Sequence, residues 1–118
     1  MPRRILIIDD DARFRALARA LLEASGYTVV GEAADGEHAL LAVRRVRADA
    51  ALVDIQLPDT DGFTLARRLA AIDHRLRIVL TSTDPTLGTA DALAGSVALA
   101  FVPKDKLAIT DLAPWLDR

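Results

Sequence analysis

Ala51-Leu52-Val53-Asp54-Ile55-Gln56-Leu57-Pro58-Asp59 is the stretch from which the rest of the chain can be read. An apolar run of strand length ends in a single acid, and Pro58 stops regular structure soon after. A strand buried on both faces of a parallel sheet reads as such a continuous apolar run. Asp54 then falls at the carboxyl end of that strand, the edge where open α/β sheets bind ligands. Taken alone, an aspartate in this setting is a turn-former, so its meaning depends on what else reaches that edge.

Upstream, Arg4 to Ile8 is a second buried-strand pattern that closes on Asp9-Asp10-Asp11. Phe14, Leu17, Ala18, Leu21 and Leu22 then recur at helical spacing, with Asp10 or Asp11 as N-cap and Gly26 just past the last turn. Tyr27 to Gly31 reads as a β-branched strand, and Asp35-Gly36 precedes a helix marked by Ala39, Leu40, Val43 and Val46. Downstream, Leu65, Ala66, Leu69 and Ile72 predict a third helix, and Arg77 to Ser82 a fourth strand. A weak, alanine-rich helix is expected around Thr86 to Leu93, with Gly88 inside it, and a fifth strand over Val97 to Val102. A last helix over Leu107 to Leu116 contains Pro114, so it either starts near Asp111 or is kinked. Strands alternating with helices throughout predict an α/β fold, a doubly wound parallel sheet with helices on both faces.

The chain has 118 residues, a formal net charge of -2 and no cysteine. This length suits one domain, expected to span residues 1–118. The absence of cysteine excludes a disulfide framework and thiol chemistry. No basic block opposes the acidic balance, which argues against direct nucleic-acid binding. No apolar run approaches membrane length, and the expected setting is cytoplasmic.

In a parallel sheet the carboxyl ends of all strands share one edge. Asp9 and Asp10 end strand one, Asp54 ends strand three, Ser82 ends strand four and Lys104 follows strand five. Three converging carboxylates repel one another unless a cation is present, and hard oxygen ligands completed by water suit Mg²⁺. A lysine and a hydroxyl opposite them can hold anionic oxygens. Such a constellation fits phosphoryl transfer, in which aspartate is an established covalent acceptor. Thr81 competes with Ser82 for the hydroxyl role; strand alternation favours Ser82.

Ile7-Ile8-Asp9-Asp10, Val53 through Gly62, Leu80-Thr81-Ser82 and Phe101-Val102-Pro103-Lys104 together resemble the CheY-like receiver domains of two-component response regulators. The resemblance implies a flavodoxin-like (βα)5 sheet in the order 2-1-3-4-5. It also implies that Asp54 accepts a phosphoryl group from a sensor histidine kinase or phosphotransfer protein. Asp10 would bind Mg²⁺ directly, Asp9 mostly through water, and the Gln56 backbone carbonyl would complete the protein ligands. Ser82, whose separation from Lys104 matches the family pattern, would follow the phosphoryl group, Lys104 would pair with it, and Phe101 would be the switch aromatic. The face made by helix four, strand five and helix five would be the output surface and a site of homodimerisation.

Two departures stand out. Asp105 follows Lys104 where many members have proline, and Thr83 follows Ser82 where a small residue is usual, which predicts slow labelling by small phosphodonors. His38 and His74 lie in polar surroundings and read as surface residues, and Trp115 as packing for the last helix. A rival is an aspartate-nucleophile phosphatase of the haloacid dehalogenase type. Asp9-Asp10-Asp11-Ala12-Arg13 supplies its acids but not the Thr or Val that its signature requires. A second rival is a receiver-like interaction module that is never phosphorylated.

Overall fold

The computed structural model describes residues 3–117. Five strands, β1 (Arg4–Ile8), β2 (Thr28–Ala33), β3 (Ala50–Asp54), β4 (Arg77–Ser82) and β5 (Ala100–Pro103), form one parallel sheet in the order β2-β1-β3-β4-β5. The expected fold and strand order are therefore observed. Both faces are covered. Leu6, Ile8, Ala51, Val53, Ile78 and Leu80 point to the side packed by α2 (Gly36–Arg45) and α3 (Gly62–Ile72). Ile5, Ile7, Leu52, Val79 and Val102 point to the side packed by α1 (Ala12–Ala24) and the carboxyl-terminal segment. The central strands are apolar throughout because they have no wet face.

The first three helices each start on an aspartate. The side chains of Asp11, Asp35 and Asp61 accept hydrogen bonds from the backbone N–H groups of Arg13, His38 and Thr64. These caps satisfy donors that the first turn leaves without partners. Gly26, just beyond α1, has φ +92°, a conformation that side chains rarely adopt.

The structure departs from the sequence reading in four places, three of them in the last third of the chain. Strand two runs on to Ala33 rather than stopping at Gly31. The helix expected over Thr86 to Leu93 is broken into a 3-10 turn, Pro85–Leu87, and a short α4, Ala90–Ala94. Pro85 and Gly88 interrupt it, and its alanines offer little apolar area to hold it down. Strand five occupies Ala100–Pro103, later than the predicted Val97 start, so Val97 and Leu99 stay largely exposed before it. The final helix is only α5, Ala113–Leu116, with Pro114 in its first turn, and a 3-10 segment over Lys104–Ile109 precedes it. Of the two possibilities for Pro114, the late start is the one adopted. Trp115 packs against the α1-side core, as expected.

Candidate functional site

β1 and β3 lie side by side in register, Ile8 opposite Val53, so the residues that follow them open at the same edge. Asp9 and Asp54 are buried, with 1% and 4% of their surface exposed, while Asp10 is open to solvent. Each of the three offers a carboxylate oxygen within 4.8 Å of the others. In an octahedron with ligands at about 2.1 Å, oxygens lie about 3 Å apart when adjacent and about 4 Å when opposite. The three oxygens therefore lie close enough together for one octahedral ion to reach them. Its all-oxygen donor set suits a hard divalent cation.

Local structure holds the acids in place. Asp9 Oδ1 accepts the Asp11 N–H at 2.9 Å, and Arg15 Nη1 donates to the Asp9 carbonyl at 2.7 Å. Asp54 Oδ1 accepts the Gln56 N–H at 3.1 Å. Behind Asp54, the Gly62 N–H donates to the Ile55 carbonyl at 2.7 Å. A β-carbon at Gly62 would sit 2.6 Å from the Asp54 carbonyl oxygen, so glycine is what lets α3 start so close to the strand end.

Lys104 reaches the acids from the far side. Its Nζ lies 2.8 Å from Asp9 Oδ2 and 3.4 Å from Asp54 Oδ2, and 4.4 Å from the centre of the Phe14 ring. Burial works to lower the lysine's pKa, but the hydrogen bonds and charges of Asp9 and Asp54 outweigh it, and the net shift is upward. The Asp54 carboxyl is also held above its ordinary range. Burial is the main cause; the Gln56 N–H opposes it, the Asp9 charge adds to it and Lys104 partly offsets it.

The two hydroxyls at the end of β4 differ. Thr81 stands opposite Asp54 in the β3–β4 register. It follows Val79 by two residues, as Asp54 follows Leu52, and Val79 and Leu52 share one core. Alternation therefore puts Thr81, not Ser82, on the face of Asp54. The Thr81 Oγ1 is fully buried with no hydrogen-bond partner among the described residues. The Ser82 hydroxyl donates to Gln56 Oε1 at 3.2 Å and accepts the Asp84 N–H at 3.0 Å.

Phe101 is half-buried against the α2/α3-side core, opposite Leu80. Its ring lies so close to Gly88 that a β-carbon there would meet it at 2.1 Å. Thr83 is exposed. His38 is exposed as expected, with its Nδ1 2.8 Å from Asp35 Oδ1. The sequence reading missed Asp59. Its carboxylate accepts the N–H groups of Gly36 and Glu37 at 2.9 and 3.1 Å, tying the loop after β3 to the start of α2.

The profile of the response regulator receiver domain matches residues 5–112. The chain is 37% identical over 117 residues to a gliding motility regulatory protein of Myxococcus xanthus, an alignment covering 98% of this chain and 15% of that protein. It spans half or less of the length of the first curated relatives it matches. Among solved structures, the signal receiver domain of NarL from Mycobacterium tuberculosis superposes with a TM-score of 0.81 at 30% identity, covering 99% of this chain and 98% of that one. The response regulator protein TrrA of Thermotoga maritima, solved in complex with Mg²⁺-BeF, superposes with a TM-score of 0.76 at 25% identity, covering 86% of this chain and 85% of that one. Among the described residues no helix is long and apolar enough to cross a membrane.

Proposed function

Because the chain belongs to the response regulator receiver domain family, we propose that Asp54 accepts a phosphoryl group from a phosphohistidine of a sensor kinase or phosphotransfer protein. The observation that carries this reading is Asp54 set between two further carboxylates and a lysine, with Lys104 Nζ 3.4 Å from its Oδ2. An ionised Asp54 oxygen attacks phosphorus, the P–N bond breaks as the O–P bond forms, and the imidazole leaves with its electron pair. Lys104 holds a phosphoryl oxygen during transfer and balances the charge that remains. Mg²⁺, held by Asp9, Asp10, Asp54 and the Gln56 carbonyl, would supply neutralisation of the charge shared by the acids and the phosphoryl oxygens.

For the hydroxyl, this reading departs from the preference for Ser82. Thr81 shares a face and register with Asp54, and its buried oxygen lacks a partner that a phosphoryl oxygen would provide. Ser82 is already engaged by Gln56 and Asp84. With Thr81 in the role, the residue after it is the small Ser82, the pattern that the family resemblance asks for. The expectation of slow labelling drawn from Thr83 then loses its basis.

The domain extends over residues 1–118, acts in the cytoplasm, and binds neither membrane nor nucleic acid itself. Its output runs through α4, β5 and the carboxyl-terminal segment, with Phe101 as the moving aromatic, and homodimerisation would use the same face. Such a change is allosteric only if that face has two states that phosphorylation weights differently.

Beryllofluoride with Mg²⁺ is the test. It should shift the amide resonances of Asp54, Thr81 and Phe101, and Asp54→Asn should abolish the response. Thr81→Ala should lose the Phe101 shift while keeping that at Asp54, and Ser82→Ala should keep both. Unchanged spectra would support an unphosphorylated module. Phosphomonoester turnover that needs Asp9 and not Asp54 would support the phosphatase.

A further inference from the structure

At the opposite edge of the sheet, where the strands begin, the surface carries charge of the other sign. The segments leading into β1, β3, β4 and β5 meet around a depression of about 750 Å³. Arg3, Arg47, Arg75 and Arg77 line it, one before β1, one before β3 and two at the start of β4. None of the four guanidinium groups forms an ion pair with a carboxylate among the described residues. Two of them donate instead to neutral carbonyls, Arg3 to Asp117 at 2.9 Å and Arg77 to Trp115 at 3.3 Å.

The two acids in the lining offset only part of this charge, and neither forms an ion pair with the four arginines among the described residues; one oxygen of each accepts a backbone N–H instead. Asp49 Oδ2 accepts the Arg4 N–H at 2.8 Å, and Asp73 Oδ1 accepts the Arg75 N–H at 3.0 Å. Four arginines against two aspartates leave this patch cationic on a chain whose formal net charge is -2. The same depression has an apolar rim. Val97 and Leu99, ahead of β5, keep 45% and 44% of their surface exposed.

We infer that this depression binds a nucleoside polyphosphate, with the phosphates on the guanidinium groups and the base against Val97, Leu99 and His74. Arginine is the side chain best suited to phosphate, through its fixed fork of donors and weak hydration. The volume falls within the range of about 300–1,000 Å³ typical of small-molecule sites, much more than one phosphate fills. Cationic groups on three separate segments suit a ligand with charge at more than one point, and the aliphatic rim suits its uncharged ring.

The test is an NMR titration of the whole chain with ADP and GTP in EDTA, so that no metal draws nucleotide to the acidic edge. Saturable shifts are expected at Asp49, Arg75, Arg77 and Leu99, weakening as salt is added. Arg47→Gln combined with Arg75→Gln should weaken binding by about tenfold, equivalent to about 1.4 kcal/mol. Both side chains are exposed, so the variant should melt like the parent, and its response to beryllofluoride should not change. Val97→Ser with Leu99→Ser should weaken nucleotide binding and leave pyrophosphate binding as it was. The inference is overturned by the absence of saturable shifts at this edge, or by an arginine variant that folds and binds as the parent does. It is equally overturned if pyrophosphate or an acidic peptide binds as tightly as the nucleotides, which would make the patch a general anion or protein contact.

Discussion

The chain up to Ser82 and the chain after it are built to different standards. Before Ser82 the helices have 13, 10 and 11 residues, and each is capped by an aspartate side chain. After it, α4 has five residues and α5 four, and α5 has no side-chain cap. The first part holds Asp9, Asp10, Asp54 and Thr81; the second holds Phe101 and the surface that would report on them. A region that must keep acids at fixed spacing gains from rigid packing, and a region that changes state gains from shallow anchoring. Lys104 joins the two, belonging by sequence to the second part and by contact to the first.

Core truncation should expose the contrast most strongly. Leu69 in α3 is fully buried, and Leu69→Ala should cost about 3 kcal/mol in denaturant unfolding. Leu93 in α4 is only half-buried, and Leu93→Ala should cost about 1 kcal/mol or less. Equal losses would show that the two parts are equally anchored.

The same substitution at two glycines is the next comparison. An alanine β-carbon at Gly62 would press on the Asp54 carbonyl oxygen at 2.6 Å, a backbone atom that cannot swing aside as a side chain could. Gly62→Ala should cost about 2 kcal/mol through overpacking and displace the acid it supports. At Gly95 the nearest atom would be 3.6 Å away and φ is -84°, so Gly95→Ala should leave stability nearly unchanged. Melting curves and the Asp54 amide shift would tell the two apart.

Asp59 gives a smaller effect. Its bonds to the Gly36 and Glu37 N–H groups cap α2 from a loop more than twenty residues away in sequence. Asp59→Ala should cost about 1 kcal/mol, as the loss of a helix cap does. Unchanged stability would mean that Asp35 alone suffices at this helix end.

The same contrast governs what could be read from the sequence. β1, β3, β4 and the first three helices are specified locally, by apolar runs and periodic stripes between aspartates and glycines, and they lie where those patterns put them. The meeting of Asp9, Asp54 and Lys104 followed from the common edge of a parallel sheet. What was hidden depends on contacts distant in sequence. The choice of Thr81 over Ser82 required the β3–β4 register, since alternation along one strand cannot say which of two adjacent hydroxyls faces a neighbour. Asp59 looked like an ordinary loop acid beside Pro58. From Pro85 onward the apolar signal is thin, and Gly88 and Pro114 cut it into pieces too short for periodicity to mark their ends.

The smallest expected effect concerns Asp54 itself and carries a sign. Its pKa is raised in the folded protein, chiefly by burial and further by Asp9. The folded state therefore binds the Asp54 proton more tightly than the unfolded chain does. The stability that this proton brings is fully present below the unfolded pKa and is lost as pH rises through the folded one. At neutral pH the ionised acid works against folding, and Asp54→Asn should raise the midpoint of thermal unfolding. The gain should shrink on acidification below the ordinary aspartate range, where the parent is protonated as well. It stays modest because the Gln56 N–H and Lys104 already offset part of the strain. Mg²⁺ should stabilise the parent more than the asparagine variant. A variant that melts below the parent at neutral pH would mean that Asp54 serves the fold through Lys104, and that its burial as an ionised acid does not work against folding.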